Sequence, residues 1–252
     1  MSELYSLCTV VITTFFAGEK LEKCVDNLPN NINKLIIDNG NEKSNKKKFE
    51  DKFQNLIYYL SEENLGVPKS YSLADSMVKT KYMFNTQPDV IIKNNCIEKL
   101  IEKTKIYTNS AILSPTIFHD GEYVLEGDYK VLKIRNNKFF ETKKFFFNKK
   151  LNKKPDGDIS VDAVTGTAML IDREKLKKIN GWDTKIFNYF EDMDLCLRFR
   201  QKGYEIVKIS SAFVDHSAFS SHDIVFHKQL DYSRNWHYAW SNIYFTKKNL
   251  NK

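Results

Sequence analysis

The sequence is poor in cysteine and has no long apolar run. Its 252 residues contain four cysteines, which are spread along the chain without a Cys-x-x-Cys pair: Cys8, Cys24, Cys96 and Cys196. This spacing argues against a zinc site or a disulfide framework, so we expect four small buried thiols in a reducing cytoplasm. No stretch approaches the ~20 apolar residues of a membrane span, and residues 1–6 do not resemble a signal peptide. These absences predict a cytoplasmic protein that is not integral to a membrane.

Glycine is also scarce, with nine residues in the whole chain. The sequence contains no Gly-x-x-x-x-Gly-Lys loop, no Gly-x-Gly-x-x-Gly, no His-Glu-x-x-His and no Gly-x-Ser-x-Gly. Their absence removes most of the common nucleotide-binding and hydrolase classes. A bound diphosphate would therefore depend on a metal ion or on basic side chains.

The residues that are present suit a folded, basic protein. Hydrophobic residues make up 42% of the chain, which is enough for a proper core in one large α/β domain or two small ones. The formal net charge of +7 is compatible with nucleic acid, anionic lipid or a phosphorylated small molecule, because all three are polyanions. Charge alone does not choose among them.

The first hundred residues alternate strand and helix patterns. An apolar, β-branched run over 7–16 predicts a strand buried on both faces, and apolar residues at helical spacing follow it over 21–28. Further short strands are predicted at 35–37, 56–60 and 82–84, with a helix face over 71–78 between the last two. This alternation favours a parallel sheet with helices on both faces and with ligands at the carboxyl ends of its strands.

The pattern weakens between 107 and 157, where we expect an irregular insertion that could contain a hairpin and that includes the basic-aromatic cluster 143–147. Beyond it, a strand is predicted over 161–171 and another over 205–209. Helices are predicted over 172–179 and 191–201, closed near Gly181 and by Gly203. The charged stretch 43–52 is interpreted as a solvated surface.

Two aspartates follow predicted strands and are candidates for ligand contact. Asp38 comes directly after the strand 35–37, where a carboxylate could accept hydrogen bonds from a ribose or a pyrimidine ring; taken alone, a turn role before Asn39-Gly40 is the better interpretation. Asp89 follows Gln87-Pro88, and its carboxylate is a hard oxygen ligand suited to Mg²⁺ or Mn²⁺. For Asp89 the turn and metal hypotheses are about even.

The acidic stretch 191–194 is more specific. Glu191 and Asp192 begin a predicted helix, where the helix dipole stabilises carboxylates, and Asp194 lies four residues before Arg198 and is expected to pair with it. Because residues two apart on a helix point in nearly opposite directions, Asp192 is left for a different task. His216 follows the last predicted strand and could join a metal or phosphate site, although a lone histidine is more often structural.

The residues beyond His216 mix aromatic and basic side chains: Arg234, Trp236, Tyr238, Trp240, Tyr244, Lys247 and Lys248. This composition suits a bilayer interface, and it suits equally well a helix packed on the preceding domain. We expect weak peripheral association with anionic membrane.

Seven short segments occur in order along nearly the whole chain: Val10-Val11-Ile12-Thr13-Thr14-Phe15, Ile37-Asp38-Asn39-Gly40, Glu63-Asn64-Leu65-Gly66, Gln87-Pro88-Asp89-Val90, Thr165-Gly166-Thr167-Ala168-Met169-Leu170, Gly181-Trp182-Asp183 and Tyr189-Phe190-Glu191-Asp192-Met193-Asp194-Leu195-Cys196. Each is weak alone, but their order resembles the family 2 glycosyltransferases of GT-A fold, particularly the bacterial rhamnosyltransferase-like group. The resemblance implies a Rossmann-like, mixed and mostly parallel sheet flanked by helices. It also implies one catalytic domain over 1–215, with a nucleotide-binding half (1–105), an acceptor-side half (106–215) and a helical tail (216–252).

The resemblance further implies an inverting displacement that joins a sugar to an acceptor hydroxyl. Asp192 matches the catalytic base, with Glu191 beside it, while Asp89 and His216 match the site of a Mg²⁺ or Mn²⁺ ion. The expected partners are a UDP- or dTDP-sugar and a glycan or lipid-linked glycan acceptor, with dTDP-rhamnose favoured by resemblance only. The nucleotide is assigned to Thr13, Thr14, Phe15, Asp38, Asn64 and Gln87, and the donor and acceptor to Gly166, Thr167 and Trp182.

One position departs from the family pattern. Gln87 stands at the first position of the Asp-x-Asp metal motif, and a neutral amide oxygen ligates a hard cation only weakly or through water. Low metal affinity is therefore expected. This departure keeps open a catalytically inactive sugar-nucleotide-binding module. A nucleic-acid-binding protein is a third hypothesis, suggested by the charge of +7 but not by any recognised motif.

Overall fold

The computed structural model of the protein describes residues 2–119, 121–123, 132–135, 138–141, 154, 156–216 and 227–250. The helices are α1 (Ser2–Tyr5), α2 (Glu19–Asp26), α3 (Lys43–Lys52), α4 (Gly66–Met77), α5 (Cys96–Lys103), α6 (Arg173–Lys178), α7 (Glu191–Gln201) and α8 (His227–Leu250). The strands are β1 (Cys8–Thr14), β2 (Asn33–Asp38), β3 (Leu56–Leu60), β4 (Tyr82–Thr86), β5 (Val90–Ile92), β6 (Ser110–His119), β7 (Glu122–Tyr123), β8 (Leu132–Arg135), β9 (Lys138–Glu141), β10 (Ile159–Ser160), β11 (Ala168–Asp172) and β12 (Glu205–His216).

A ten-stranded mixed sheet forms the centre of the molecule. Its main path runs β10-β12-β6-β11-β4-β1-β2-β3, while β5 pairs with β12 and β7 pairs with β6. The pairs among β3, β2, β1 and β4 are parallel, as is the β12–β6 pair, whereas β11 is antiparallel to both of its neighbours. The predicted mixed sheet with flanking helices is confirmed.

Helices cover both faces of this sheet because its central strands are apolar on both sides. Along β1, Val10 and Ile12 pack with α2 and α5 on one face, while Val11 packs with α4, α6 and α7 on the other. A strand buried on both faces reads as a continuous apolar run instead of an alternating one. The first strand was predicted on that basis, two residues longer at its carboxyl end than observed.

The stretch 43–52, interpreted as solvated surface, forms helix α3. Its lysines are largely exposed as expected, but Phe49 is buried against Tyr58, with ring centroids 5.6 Å apart. Lys48 and Lys52 pair with Glu22 on α2, at 2.5 and 2.9 Å. One buried aromatic side chain and ion pairs with α2 therefore stabilise a helix that periodicity alone did not indicate.

The prediction of an irregular insertion over 107–157 is wrong in its first part, where residues 110–119 form the buried strand β6. Pro115 hid this strand, because proline lacks the N–H that a central strand normally donates. The neighbouring strand β12 accommodates it with an irregularity between Ile209, which pairs with Pro115, and Phe213, which pairs with Thr116. The hairpin considered for this region is present as the antiparallel pair β8–β9. The basic-aromatic cluster 143–147 lies outside the described residues.

Two further strand predictions need correction. The strand predicted over 161–171 is wrong in its first part, since residues 161–167 form a loop and only β11, from 168 to 172, is extended; the short β10 precedes the predicted range. That loop contains Gly166, whose conformational freedom weakens strand pairing. The strand predicted over 205–209 continues to His216, so this histidine is the last residue of β12 instead of following a loop.

The helical tail is confirmed as α8, although residues 217–226 and 251–252 lie outside the described part. Within the described residues, no helix is long and apolar enough to cross a membrane.

Candidate active site

Six strands end along one edge of the sheet because they run in the same direction. Strands β1, β2, β3 and β4 are mutually parallel; β11 is antiparallel to both β4 and β6, so β6 runs with β4, and β12 is parallel to β6. The antiparallel strand β11 begins at the same edge. We call it the catalytic edge; it collects the predicted residues Thr13, Thr14, Asp38, Gln87, Gly166, Thr167 and His216.

Tyr71 on α4 connects, through hydrogen bonds, the end of β4 with the loop before β11. Its hydroxyl donates to the carbonyl oxygen of Thr86 at 3.4 Å. The hydroxyl of Thr86 in turn donates to the carbonyl oxygen of Thr167 at 3.0 Å. Burial raises the pKa of Tyr71 strongly, a hydrogen bond with the side chain of Thr13 lowers it, and the charges of Glu191 and Asp192 raise it further. The sequence pattern indicates Tyr71 only as part of a helix face.

Asp192 lies at the start of α7, with both carboxylate oxygens bonded to backbone amides. The Gly166 N–H donates to Oδ2 at 2.9 Å, and the Met193 N–H donates to Oδ1 at 2.7 Å. Tyr189 and Phe190, directly before the helix, both have left-handed backbone conformations, with φ of 66° and 65°. Such strain in non-glycine residues is costly and is concentrated at functional sites.

Glu191 adjoins Asp192 in a different environment. It is buried, and its Oε2 has no hydrogen-bond partner among the described residues. Burial, followed by the negative charge of Asp192, raises the pKa of Glu191 from 4.5 to about 8. Near neutral pH, Glu191 is therefore protonated, while Asp192 accepts two amide hydrogen bonds that favour the ionised form.

A second carboxylate in the first turn of α7, Asp194, forms the pair that the sequence predicts. Arg198 donates from Nε to Asp194 Oδ2 at 2.7 Å, which confirms that pair. Lys248 of α8 donates to the other oxygen of Asp194 and to Asp183, both at 2.6 Å. Asp192 and Asp194 thus point to different surroundings, as helix geometry requires.

Asp89 and His216 meet at the catalytic edge because Val90, which begins β5, pairs with His216 at the end of β12. His216 Nε2 lies 3.7 Å from Asp89 Oδ2. Both Asp89 oxygens are buried and have no hydrogen-bond partner among the described residues. Buried carboxylate oxygens without a hydrogen-bond donor are suited to binding a cation, so these two side chains fit a divalent ion.

Asp89 and His216 are the two side chains at this position that fit a divalent cation. Among the described residues, no three His, Cys, Asp or Glu side chains form a group that could hold a metal ion. Mg²⁺ and Mn²⁺ commonly keep waters and take substrate phosphates in addition to one or two carboxylates, so a small protein ligand set agrees with a diphosphate site.

His119, at the end of β6, is a residue that sequence analysis missed. Its ring lies edge-on to that of His216, with centroids 5.4 Å apart. The signal that could have found it was the apolar run 111–118 directly before it, which Pro115 interrupts.

Asp38 lies at the catalytic edge but is fully buried. Its Oδ1 accepts from the Gly40 N–H at 2.8 Å, and its Oδ2 accepts from the Glu42 N–H at 2.9 Å and from the Tyr58 hydroxyl at 3.0 Å. These bonds stabilise the turn after β2, in agreement with the turn interpretation. Its nucleotide role stays a prediction.

The other predicted nucleotide residues differ in exposure. Thr14 is buried, whereas Thr13, Phe15 and Gln87 are half-buried. Asn64 is exposed and accepts a hydrogen bond from the Gly66 N–H at 3.0 Å. Their contacts with a nucleotide remain predictions.

Trp182 is 5% exposed, and its ring packs against Tyr71 with centroids 5.0 Å apart. In the described conformation, Trp182 is therefore a packing residue that helps to hold Tyr71 in place. Its assignment to donor or acceptor remains a prediction.

A cavity of about 120 Å³ lies at the opposite edge of the sheet, near Lys81, Ser110 and Asp172. Lys175 lines it and donates to the carbonyl oxygens of Thr108 and Ser110, both at 2.7 Å. The cavity is separate from the carboxylates described above, so we assign it no part in their chemistry.

Two solved structures share this architecture. GalNAc-T7, crystallised with UDP, GalNAc and Mn²⁺, matches with a TM-score of 0.64 at 13% identity, over 83% of this chain and 42% of that one. Residues 1–349 of TarS from S. aureus match with a TM-score of 0.59 at 13% identity, over 83% of this chain and 60% of that one. At this level of identity the likeness concerns the fold, which is the GT-A fold.

Sequence comparison identifies the family. Residues 9–179 match Glycosyl transferase family 2, and residues 155–242 match Glycosyltransferase like family 2. The chain belongs to glycosyl transferase family 2.

Two curated relatives are similar to most of the chain. Rhamnosyltransferase WbbL of Escherichia coli (strain K12) is 26% identical over 204 residues, which cover 76% of this chain and 74% of the relative. The uncharacterized glycosyltransferase MJ1057 of Methanocaldococcus jannaschii is 25% identical over 202 residues, which cover 76% of this chain and 64% of the relative.

Proposed function

We propose that this chain is an inverting glycosyltransferase. It moves a sugar, with rhamnose favoured, from a UDP- or dTDP-sugar to a hydroxyl of a cell-surface polysaccharide or a lipid-linked glycan precursor. The reaction takes place in the cytoplasm, at the inner face of the cell membrane. Family membership supports the reaction class, and similarity to Rhamnosyltransferase WbbL supports the choice of sugar.

The observation that carries the proposal is the contrast between Asp192 and Glu191. Two adjacent carboxyl groups with different protonation states are a recurrent arrangement for acid–base chemistry. Asp192 is held at a helix start by the amides of Gly166 and Met193, which favour its ionised form. Glu191 is buried and holds a proton, so it adds no second charge next to the base.

In the proposed step, Asp192 takes the proton of the acceptor hydroxyl as the hydroxyl oxygen attacks the anomeric carbon. The bond from that carbon to the diphosphate oxygen breaks, and the nucleoside diphosphate leaves with the electron pair. One displacement from the opposite side inverts the anomeric centre. The backbone amide of Gly166 keeps the carboxylate oriented during the proton transfer.

Asp89 and His216 would hold the metal ion, which supplies positive charge to the diphosphate when bound. The buried oxygens of Asp89, which have no hydrogen-bond partner in the described part of the chain, support this assignment. The solved structure of GalNAc-T7, which shares the fold, contains Mn²⁺ together with UDP, and this supports the proposed dependence on a divalent cation.

Replacement of Asp192 by Asn tests the proposal. The amide keeps the size of the carboxylate but cannot take a proton, so we expect transfer to fall by at least about 10²-fold. Donor affinity, measured by isothermal titration calorimetry, should change little because the substitution affects the base and not the proposed nucleotide residues. Unchanged turnover would refute the role of Asp192. Donor binding without transfer in the wild-type protein would instead favour an inactive binding module.

A further inference from the structure

Helix α8 has one face packed on the rest of the protein. Ser241 is fully buried and donates to the carbonyl oxygen of Asn188 at 2.7 Å, and Phe245 is buried against Phe190, with ring centroids 5.5 Å apart. Tyr244 donates to Asp183 at 2.9 Å. The ring of His237 stacks on Phe187 at 4.3 Å. This side of the helix contacts the segment that leads into α7.

The opposite face of α8 is exposed and aromatic. Tyr232, Trp236, Trp240 and Ile243 are 78%, 70%, 52% and 51% exposed. Their spacing of four, four and three residues places them in one stripe along the helix. At 100° per residue, this stripe is centred roughly 165° from the buried Ser241 and Phe245. We call these four residues the aromatic face; they include two of the three tryptophans of the chain.

The chemistry of the aromatic face favours a bilayer surface. Tryptophan and tyrosine place an apolar ring in the interfacial region of a bilayer while their N–H and O–H groups remain near water. Exposed Lys247 continues the stripe by one turn, and residues 232–249 contain no acidic side chain. The chain carries a net charge of +7, which attracts anionic lipid and opposes close approach of a second copy.

We propose that the aromatic face of α8 docks on an anionic lipid bilayer. The docking role rests on the proposed function, since a lipid-linked acceptor would be presented at that surface. The helix would lie in the interface with its aromatic side chains inserted and Lys247 beside the headgroups. On the opposite face of α8, Lys248 donates a hydrogen bond to Asp194, which lies two residues after Asp192 on α7. Docking would therefore orient the start of α7 relative to the membrane.

Vesicle binding of the full chain tests the proposal. The probes are phosphatidylcholine vesicles with and without phosphatidylglycerol, examined by co-sedimentation at low and high salt. We expect binding only to the anionic vesicles, weakened by salt because the charges at a membrane surface are screened. Fluorescence should shift to the blue, since Trp236 and Trp240 enter a less polar region while Trp182 is already buried. No salt-sensitive binding, or no shift, would overturn the proposal.

Variants locate the surface. Trp236→Ser/Trp240→Ser should weaken vesicle binding by at least about tenfold, because two apolar rings no longer insert. Tyr232→Ser/Ile243→Ser should also weaken binding while it retains both tryptophans as fluorescent reporters. Ile106→Ser is the matched control, since Ile106 is equally exposed but lies outside α8. Equal binding by all three variants would refute the assignment, provided that circular dichroism shows each to be folded.

Two further measurements separate the alternatives. If the face instead binds a second copy, light scattering will give twice the 29.6 kDa of one chain for wild type and 29.6 kDa for the double tryptophan variant, which would overturn the proposal. Transfer to a water-soluble acceptor should persist in that variant, while transfer to a vesicle-borne acceptor should fall. Absence of transfer by wild type, with vesicle binding intact, would refute the proposed function and leave the docking surface standing.

Discussion

At the scale of single residues, two adjacent carboxyl groups lie in different environments. Asp192 accepts hydrogen bonds from two backbone amides. Glu191, one residue earlier, is buried with one oxygen that has no partner among the described residues. The cost of burying a second charge beside the first is avoided if Glu191 keeps its proton. One carboxylate is thereby left available for proton transfer.

Replacing Glu191 by Gln should change how stability depends on pH. Burial and the charge of Asp192 raise the pKa of Glu191 from 4.5 to about 8 in the folded protein, so the folded state retains a proton that the unfolded chain releases. This contribution to stability is fully present below about pH 4.5 and is lost as the pH rises through about 8. The melting temperature of Glu191→Gln, relative to wild type, should therefore rise between about pH 5 and pH 8. Parallel pH curves for the two proteins would contradict this.

At the scale of elements, the start of α4 fits closely against the segment before α7. Gly66 has φ of +69°, and a Cβ atom added there would lie 2.3 Å from the carbonyl oxygen of Phe187. That same oxygen accepts a hydrogen bond from the Val67 N–H at 2.8 Å. The absence of a side chain at Gly66 thus permits the close contact between the start of α4 and the segment before α7.

Gly66→Ala should destabilise the protein by more than about 1 kcal/mol, because the alanine meets both backbone strain and a backbone clash. Gly181→Ala is the control, since Gly181 has φ of +68° but no atom of the described residues lies within 4 Å of an added Cβ. Urea denaturation measures both free energies of unfolding. If the free energy of unfolding falls equally in the two variants, the clash with Phe187 contributes nothing to the loss of stability.

An ion pair between Lys248 and Asp194 also joins helix α8 to α7. Lys248 bonds to Asp183 and to the buried Asp194, so Lys248→Met should lower the free energy of unfolding by about 1–3 kcal/mol. Lys247→Met removes the same charge from the adjacent exposed position and should cost less than about 0.5 kcal/mol. Thermal or urea unfolding distinguishes them. Equal stability of the two variants would show that the bonds of Lys248 contribute nothing.

At the scale of the whole molecule, the sheet brings remote segments to one edge. Asp89 and His216 are 127 positions apart in the chain, yet β5 and β12 place Nε2 3.7 Å from Oδ2. A ligand that binds across this edge contacts segments that are remote from each other in the chain. It should therefore stabilise the folded state by mass action.

Thermal-shift measurements with UDP, dTDP and GDP sugars, with and without Mn²⁺, should show a higher melting temperature for the true donor. We expect Mn²⁺ to increase this shift in wild type and to have little effect in Asp89→Asn, which lacks the charge that binds the cation. Asp215→Asn is the control, since Asp215 neighbours His216 but pairs with Lys93 at 3.3 Å. An Mn²⁺ effect of equal size in all three proteins would exclude Asp89 as a ligand.

The local elements and the order of the motif segments follow from the sequence alone. Helix α7 and strand β3 have the predicted bounds, because helix starts, glycine stops and apolar runs are properties of neighbouring residues. The pairing of Asp194 with Arg198 was predictable for the same reason, since the two lie one helical turn apart.

Features that depend on partners distant in the chain are set by the packing of the folded protein. Strand β6 is central despite Pro115 because β12 is irregular opposite it. Glu191 keeps a proton because the surrounding protein removes it from water. Likewise, Asp38 is buried in a turn closed by Tyr58, and His119 lies next to His216. Strand pairing and desolvation arise from packing between remote segments, which local patterns do not encode.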